Sequence, residues 1–127
     1  MTKMMQIYRC DVCGNVVEVL HTGQGTLVCC GQPMELKEEK MKEEGNEKHL
    51  PVVKSTEEGI EVKVGEVEHP MEDQHYIEWI EVITKEGAHR EFLNPADEPK
   101  SKFNISKDDI VAARCYCNVH GLWKNTK

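Results

Sequence analysis

The 127-residue chain has few aromatic residues and no long apolar run. Aromatic side chains make up 6% of it, whereas charged residues make up 31%. No stretch approaches the roughly 20 apolar residues that a transmembrane helix needs, which argues against an integral membrane protein. The opening residues, MTKMMQIYRC, lack the apolar segment of a secretory signal, so we expect no export.

An excess of basic residues is also missing. The 16 Lys and Arg residues are outnumbered by 23 Asp and Glu residues, which gives a formal net charge of −7. Proteins that bind nucleic acid need positive charge to neutralise phosphates, so the composition argues against a nucleic-acid partner. Val and Ile are interspersed with the charges, which is not typical of a disordered acidic tail.

What the chain does contain is six Cys and six His. An even number of cysteines in a small secreted protein would indicate disulfides. Because no export signal is visible, we interpret the cysteines as reduced and expect a cytoplasmic protein.

Composition divides the chain into three zones. Residues 1–37 contain four Cys and short β-prone segments at 6–9, 16–20 and 26–28. So small a unit has too few apolar residues for a core, and we expect a bound metal to stabilise it. Residues 38–48 are almost wholly charged, which is most typical of a solvated linker, although one or two helical turns over 38–44 stay open.

The third zone, residues 49–127, has the pattern of an antiparallel β-sandwich. Residues 59–65 alternate between apolar and polar, and residues 76–84 are dense in aromatic and β-branched side chains. Further β-prone segments follow at 90–93, 102–105 and 110–116, separated by turn signals. About seven short strands at this spacing predict an all-β sandwich.

Four cysteines in the first zone form a candidate metal site: Cys10 and Cys13 in a CxxC motif, and the adjacent pair Cys29 and Cys30. Four thiolates can close a tetrahedral site around zinc or iron, and the residues alone do not decide between them. Neighbouring residues on a strand point to opposite sides, so Cys29 and Cys30 can share an ion only if the backbone turns. We expect Gly31 to permit that turn.

A second candidate site combines imidazoles with a thiolate. Its residues occur in the contexts EKH, HPM and CNVH: His49, His69, His75, Cys117 and His120. Several imidazoles with one thiolate suit iron or copper redox chemistry. His21 and His89 lie in turns and receive no metal role. Cys115 could be a rival ligand, a neighbour of the ligands or a packed thiol, of which we favour the packed thiol.

The order of these motifs resembles the desulfoferrodoxins, two-centre superoxide reductases of anaerobic microbes. The CxxC and CC pairs are followed by EKH, HPM and CNVHG, and the likeness spans nearly the whole chain. It implies a small desulforedoxin-like or rubredoxin-like metal domain at 1–37, a linker at 38–48 and an immunoglobulin-like β-sandwich at 49–127. It also implies a homodimer.

The resemblance also implies iron at both sites. One iron would be held by Cys10, Cys13, Cys29 and Cys30. The other would have equatorial imidazoles from His49, His69, His75 and His120, with Cys117 as the axial thiolate. Lys48 and Glu47 match the conserved Lys and Glu beside the family's first His. Cys115 is not part of the family's ligand set.

The implied activity is one-electron, inner-sphere reduction of superoxide to hydrogen peroxide at the ferrous iron of the His/Cys centre. Cys117 would donate electron density to the iron, Lys48 would attract superoxide and orient a water, and Glu47 could occupy the open position after oxidation. The four-cysteine centre would serve electron transfer or stability, and family likeness suggests a small rubredoxin-like electron donor. The main alternative is a non-catalytic two-centre iron electron carrier; a zinc-binding module and a superoxide dismutase are further ones.

Overall fold

The computed structural model describes residues 1–42, 48–67 and 69–126. The chain forms two compact units, Met1–Glu38 and Glu39–Lys127. Apart from one 3-10 turn, the regular structure of the described residues is β, which confirms the predicted all-β class. Part of the predicted linker, residues 43–47, lies outside the described residues. Over the described ranges, no helix has the length and apolar character that a membrane span requires.

The first unit contains five very short strands. They are β1 (Ile7–Arg9), β2 (Val16–Glu18), β3 (Val28–Cys29), β4 (Gln32–Pro33) and β5 (Glu35–Lys37). Strand β1 pairs antiparallel with both β2 and β5, and β3 pairs with β4 as a separate hairpin. Strands β4 and β5 lack apolar alternation, so the sequence analysis did not predict them.

Little apolar surface is buried in this unit. Ile7, Cys10 and Val19 are its buried hydrophobic residues, whereas Leu20 and Val28 are 77% and 59% exposed. A unit of this size with three such residues cannot offset the chain entropy lost on folding by apolar burial alone. The packing therefore fits the expectation that a bound metal stabilises it.

The described part of the second unit contains seven strands. They are β6 (Pro51–Thr56), β7 (Gly59–Val64), β8 (Ile77–Thr84), β9 (Gly87–Phe92), β10 (Lys100–Phe103), β11 (Ile110–Cys117) and β12 (Gly121–Asn125). A 3-10 turn at Lys107–Asp109 precedes β11. One antiparallel sheet has the order β10-β7-β6 and the other β12-β11-β8-β9. This order is close to the immunoglobulin arrangement, with the fourth strand, β9, paired to β8.

One core lies between the two sheets, as expected for a sandwich. Ile60, Val62 and Val64 of β7 alternate inward and are fully buried. They share one cluster with buried residues of the other sheet, which are Ile77, Ile80, Val82, Ala113, Cys115, Cys117 and Trp123. Cys117, the last residue of β11, thus belongs both to the packed core and to the candidate metal site.

The other face of the four-stranded sheet carries a buried ion pair. Glu81 and Arg114 are 0% and 1% exposed, and Arg114 Nε donates to Glu81 Oε1 at 2.6 Å. Arg90 donates to the second oxygen of Glu81, and Arg114 Nη1 lies 3.1 Å from Glu39 Oε2. Buried charges are tolerated when they are paired in this way. Glu39 lies in the predicted linker, so the start of that segment carries structure.

Candidate metal centres

The four cysteines of the first unit come together at the ends of two hairpins. Cys10 follows β1, whereas Cys29 and Cys30 lie where β3 turns into β4. All four are free thiols whose sulfur atoms lie within 4.8 Å of one another. The structure therefore brings together every cysteine that the sequence analysis assigned to this site.

The backbone conformation allows the adjacent residues Cys29 and Cys30 to face the same site. Cys30 has a φ of +53° and Gly31 one of +78°. The sequence predicts that Gly31 permits the turn, and the left-handed conformation begins one residue earlier, at Cys30. Such a φ is uncommon for a residue with a Cβ, and surrounding structure must hold it.

The separations between sulfur atoms fit a tetrahedral ion. Sγ of Cys13 lies 3.6 Å from Sγ of Cys29, which lies 3.9 Å from Sγ of Cys30. A tetrahedron with metal–sulfur bonds of about 2.3 Å would have sulfur atoms about 3.8 Å apart. The four residues present therefore fit a thiolate-bound metal.

The thiols differ in acidity. A hydrogen bond from the backbone N–H of Cys13 lowers the pKa of Cys10 to about 6. The Cys13 side chain raises the pKa of Cys30 to about 12, and it also raises the pKa of Cys29. Without a cation, four crowded thiols cannot all ionise, so metal binding at this site must release protons.

The second group of donors lies at one end of the sandwich. His49 lies two residues before β6, His69 and His75 lie in the connection between β7 and β8, and Cys117 and His120 flank the turn between β11 and β12. Their donor atoms also lie within 4.8 Å of one another. The structure thus brings together all five residues proposed from the sequence.

The four imidazoles form a closed ring. Centroid separations are 4.6 Å for His49–His69, 4.9 Å for His69–His75, 5.1 Å for His75–His120 and 4.8 Å for His120–His49. Nε2 of His49 lies 3.0 Å from Nε2 of His69 and 3.1 Å from Nδ1 of His120. Four nitrogens in a square about 2.1 Å from one ion would have neighbours about 3.0 Å apart, so the ring fits a metal.

Cys117 lies near the axis of this ring. Its Sγ is 3.7 Å from Nε2 of His69 and 3.8 Å from Nδ1 of His120, two nitrogens on opposite sides of the ring. The backbone N–H of His120 donates to the same sulfur at 3.4 Å. Cys117 is fully buried, as are His49 and His69, whereas His75 and His120 are half-buried. Solvent therefore reaches the ring most easily beside His75 and His120.

Neighbouring groups orient the ring members. Nδ1 of His69 lies 2.7 Å from the Pro70 carbonyl, which assigns the proton to Nδ1 and leaves Nε2 with its lone pair toward the ring. Paired backbone hydrogen bonds between Glu72 and His75, at 2.9 and 3.1 Å, form the tight turn that presents His75. Asn118 accepts from Tyr76 N–H at 2.9 Å and so ties this loop to the Cys117 turn.

Of the two residues predicted beside His49, Lys48 is described and half-buried. Gly65, with a φ of +82°, packs so close to it that an added Cβ would lie 2.5 Å from the Lys48 carbonyl oxygen. Gly65 N–H also donates to the Leu50 carbonyl at 3.0 Å. The backbone of Lys48 therefore lies against Gly65, next to the first imidazole. Glu47 lies outside the described residues, and its predicted role stays a prediction.

Residues that the sequence analysis excluded lie elsewhere. His21 and His89 are exposed and belong to neither donor group. Cys115 is fully buried in the core, outside the five-donor group, and its Sγ donates to the His49 carbonyl at 3.1 Å. The sequence analysis missed Trp123, whose ring stacks on His49 at 4.5 Å and 10°. Its position three residues after His120 was the available signal.

The family model for desulfoferrodoxin matches residues 41–126, and the model for the desulfoferrodoxin N-terminal domain matches residues 2–36. The chain belongs to the desulfoferrodoxin family. It is 58% identical over 125 residues to a desulfoferrodoxin homolog of Archaeoglobus fulgidus, covering 98% of this chain and 99% of the relative. Membership and the two donor groups together are consistent with two iron centres, as predicted.

Other proteins similar to this chain are named superoxide reductases. A superoxide reductase of Pyrococcus horikoshii is 40% identical over 97 residues, which cover 62% of this chain and 84% of that protein. The crystal structure of the superoxide reductase from Treponema pallidum superposes with a TM-score of 0.79 at 25% identity, covering 94% of this chain and 96% of the other. That likeness extends over both units of this desulfoferrodoxin.

Proposed function

We propose that this desulfoferrodoxin is a superoxide reductase whose catalytic iron is held by the ring of four imidazoles and Cys117. The observation that carries the proposal is the closed ring itself, with one buried sulfur near its axis. The names of the Pyrococcus relative and the Treponema structure support the activity. When bound in the ferrous state, iron supplies one electron to superoxide, which takes up two protons to give hydrogen peroxide.

The imidazoles and the thiolate have different proposed roles. Neutral imidazoles of His49, His69, His75 and His120 hold the ion without cancelling its positive charge, which favours an anionic substrate. The thiolate of Cys117, which is itself buried, would donate electron density to the ion. Five protein donors would leave a six-coordinate ion one position for a small anion.

Lys48 is proposed to serve the substrate rather than the metal. It directly precedes His49, and its backbone lies against Gly65. In a chain of net charge −7, an ammonium at this position supplies a local positive field that attracts a small anion. It can also hold a water that delivers a proton to the substrate. For Glu47, we propose that its carboxylate would occupy the open coordination position after oxidation.

The proposal is tested by rapid mixing of the reduced, iron-loaded protein with superoxide. We expect fast oxidation of the His/Cys centre and about one hydrogen peroxide per superoxide. His75→Ala should abolish the reaction, whereas His89→Ala, which removes an exposed imidazole outside the ring, should react like the parent. Absence of reaction in the parent protein would leave the electron-carrier alternative; release of oxygen without an external reductant would instead indicate a dismutase.

The role of Lys48 has a separate test. Lys48→Ile should slow the second-order reaction and flatten its dependence on ionic strength, because a screened attraction has been removed. Lys85→Ile removes the same charge from the exposed turn between β8 and β9 and should leave both quantities unchanged. A rate unaltered by Lys48→Ile would exclude steering by this residue.

The four-cysteine site is proposed as an iron centre for electron transfer or stability. Its exposed residues, Cys13 and Cys30, give a route for electron exchange, and its four thiolates leave no position for substrate. A rubredoxin-like electron donor, assembly as a homodimer and a cytoplasmic location are also proposed. None of the six cysteines, all of which lie in the described ranges, forms a disulfide, which supports a reducing compartment.

A further inference from the structure

We propose that Lys40 is a positioning residue for the His/Cys centre. Lys40 lies in the charged segment that the sequence analysis interpreted as a solvated linker, 80 residues before His120. Its side chain contacts groups that support two adjacent imidazoles of the ring, those of His49 and His120. The inference rests on the proposed ligand set and adds a residue that supports two of its members.

The backbone of Lys40 is fixed to the sandwich. Its N–H donates to the Leu122 carbonyl at 2.9 Å, and the N–H of Lys124 donates to the Lys40 carbonyl at 2.9 Å. Lys40 therefore extends the four-stranded sheet at its β12 edge. The preceding residue, Glu39, lies 3.1 Å from Nη1 of Arg114 and 3.3 Å from Nζ of Lys124. These contacts fix the backbone position from which the Lys40 side chain extends.

The side chain then reaches the metal site by two contacts. Nζ donates to the His120 carbonyl at 3.1 Å. The same ammonium lies 5.2 Å from the centroid of the Trp123 ring, within the range of a cation–π interaction. Trp123 in turn stacks on His49 with centroids 4.5 Å apart. One cation thus holds both the backbone of one ligand and the ring that supports another.

These contacts matter because the ligand turn is short and partly exposed. His120 is half-buried, and its neighbours in the turn are Val119, which is 55% exposed, and Gly121, which has a φ of +87°. A hydrogen bond to the His120 carbonyl restrains the backbone of this turn at the residue that carries the imidazole. Groups that orient metal-binding imidazoles typically change metal affinity by about 10-fold to 100-fold when removed.

The test uses three variants of the full chain. Lys40→Met removes the charge and the donor but keeps an apolar stem, Lys40→Arg keeps a cation that can donate and lie on an indole, and Lys42→Met removes an exposed charge two residues away. For each we would measure iron affinity at the His/Cys centre and the position of its sulfur-to-iron charge-transfer band. Thermal unfolding of the metal-free proteins reports stability separately.

We expect Lys40→Met to weaken iron binding at this centre by about 10-fold and to shift the band. Lys40→Arg should retain most of the affinity and the band position, and Lys42→Met should match the parent. The proposal is overturned if Lys40→Met leaves affinity and band unchanged, or if Lys42→Met has an equal effect. It is also overturned if both Lys40 variants change only the unfolding temperature. Absence of the band in the parent protein would count against the proposed ligand set itself.

Discussion

The two metal-binding groups of this chain lie in units that differ greatly in how many apolar residues they bury. The four cysteines belong to a unit with three buried hydrophobic residues, and two of the four, Cys13 and Cys30, are exposed. The second group belongs to a seven-stranded sandwich, and Cys117 is itself part of the core. The first site is held by short hairpins and turns, the second by long strands that pack against each other.

This difference bears on the order of folding and metal binding. Where apolar burial is small, the free energy of metal binding becomes free energy of folding. Where a core already fixes the strand ends, the protein arranges its donors before the ion arrives, which holds a chosen geometry with one position open. We therefore expect the first unit to need its metal in order to fold. We expect the sandwich to fold without metal and to determine the coordination geometry at the second site.

Metal removal gives the largest contrast. Structural thiolate sites contribute on the order of 10 kcal/mol of apparent binding free energy, more than a small unit can lose and remain folded. We expect the metal-free protein to lose protection of backbone amides in residues 1–38 while β7, β8 and β11 stay protected, as measured by hydrogen exchange. Equal protection of both units after removal would contradict the comparison.

Replacement of the two core cysteines separates ligand from packing. Cys117→Ser should abolish the sulfur-to-iron charge-transfer band of the second centre, because Cys117 is the sulfur near the ring axis. Cys115→Ser should keep the band, since its sulfur contacts the His49 carbonyl and a hydroxyl can make the same hydrogen bond. Absorption spectra of the two oxidised variants decide this. If both lost the band equally, the assignment of Cys117 would be wrong.

A glycine beside the second site tests how rigidly the sandwich holds it. In Gly65→Ala the new Cβ would meet the carbonyl oxygens of Lys48 and Val67 at 2.5 and 2.6 Å. With the cost of the left-handed φ, we expect a loss of about 2 kcal/mol or more in the free energy of unfolding, measured by denaturant titration. In the control Gly87→Ala, φ is +149° and no atom lies within 4 Å of the new Cβ, so backbone strain is present without a clash. Losses of equal size would exclude the steric contribution at Gly65.

The smallest effect concerns pH and the first unit. The pKa of Cys10 is lowered to about 6, so its thiolate contributes stability above pH 9 that is lost as pH falls through 6. The pKa of Cys30 is raised to about 12, so its contribution is present below pH 9 and lost as pH rises toward 12. We expect residual structure of the metal-free first unit to increase from pH 6 to pH 9, as followed by limited proteolysis. Cys10→Ser should remove the increase, and an increase that persisted would exclude Cys10 as its source.

The sequence predicted the donors well and their supports poorly. Local motifs and the family resemblance proposed nine ligands, whose donor atoms the structure brings into two groups, and strict alternation predicted β7. Strands β4, β5, β6 and β12 were not predicted, since they contain Pro, Gly or mixed polar residues and are defined by pairing with partners. Lys40 looked like part of a solvated charge run, because its contacts with His120 and Trp123 span about 80 residues of sequence.

The central claim is that four imidazoles and one thiolate hold the second iron. Iron-edge X-ray absorption of Cys29→Ser, in which the first site has lost a ligand, addresses it most directly once one iron per chain has been verified. We predict nitrogen scatterers at the distance of imidazole ligands and a single sulfur. Two or more sulfurs, or none, at the remaining iron would contradict the account.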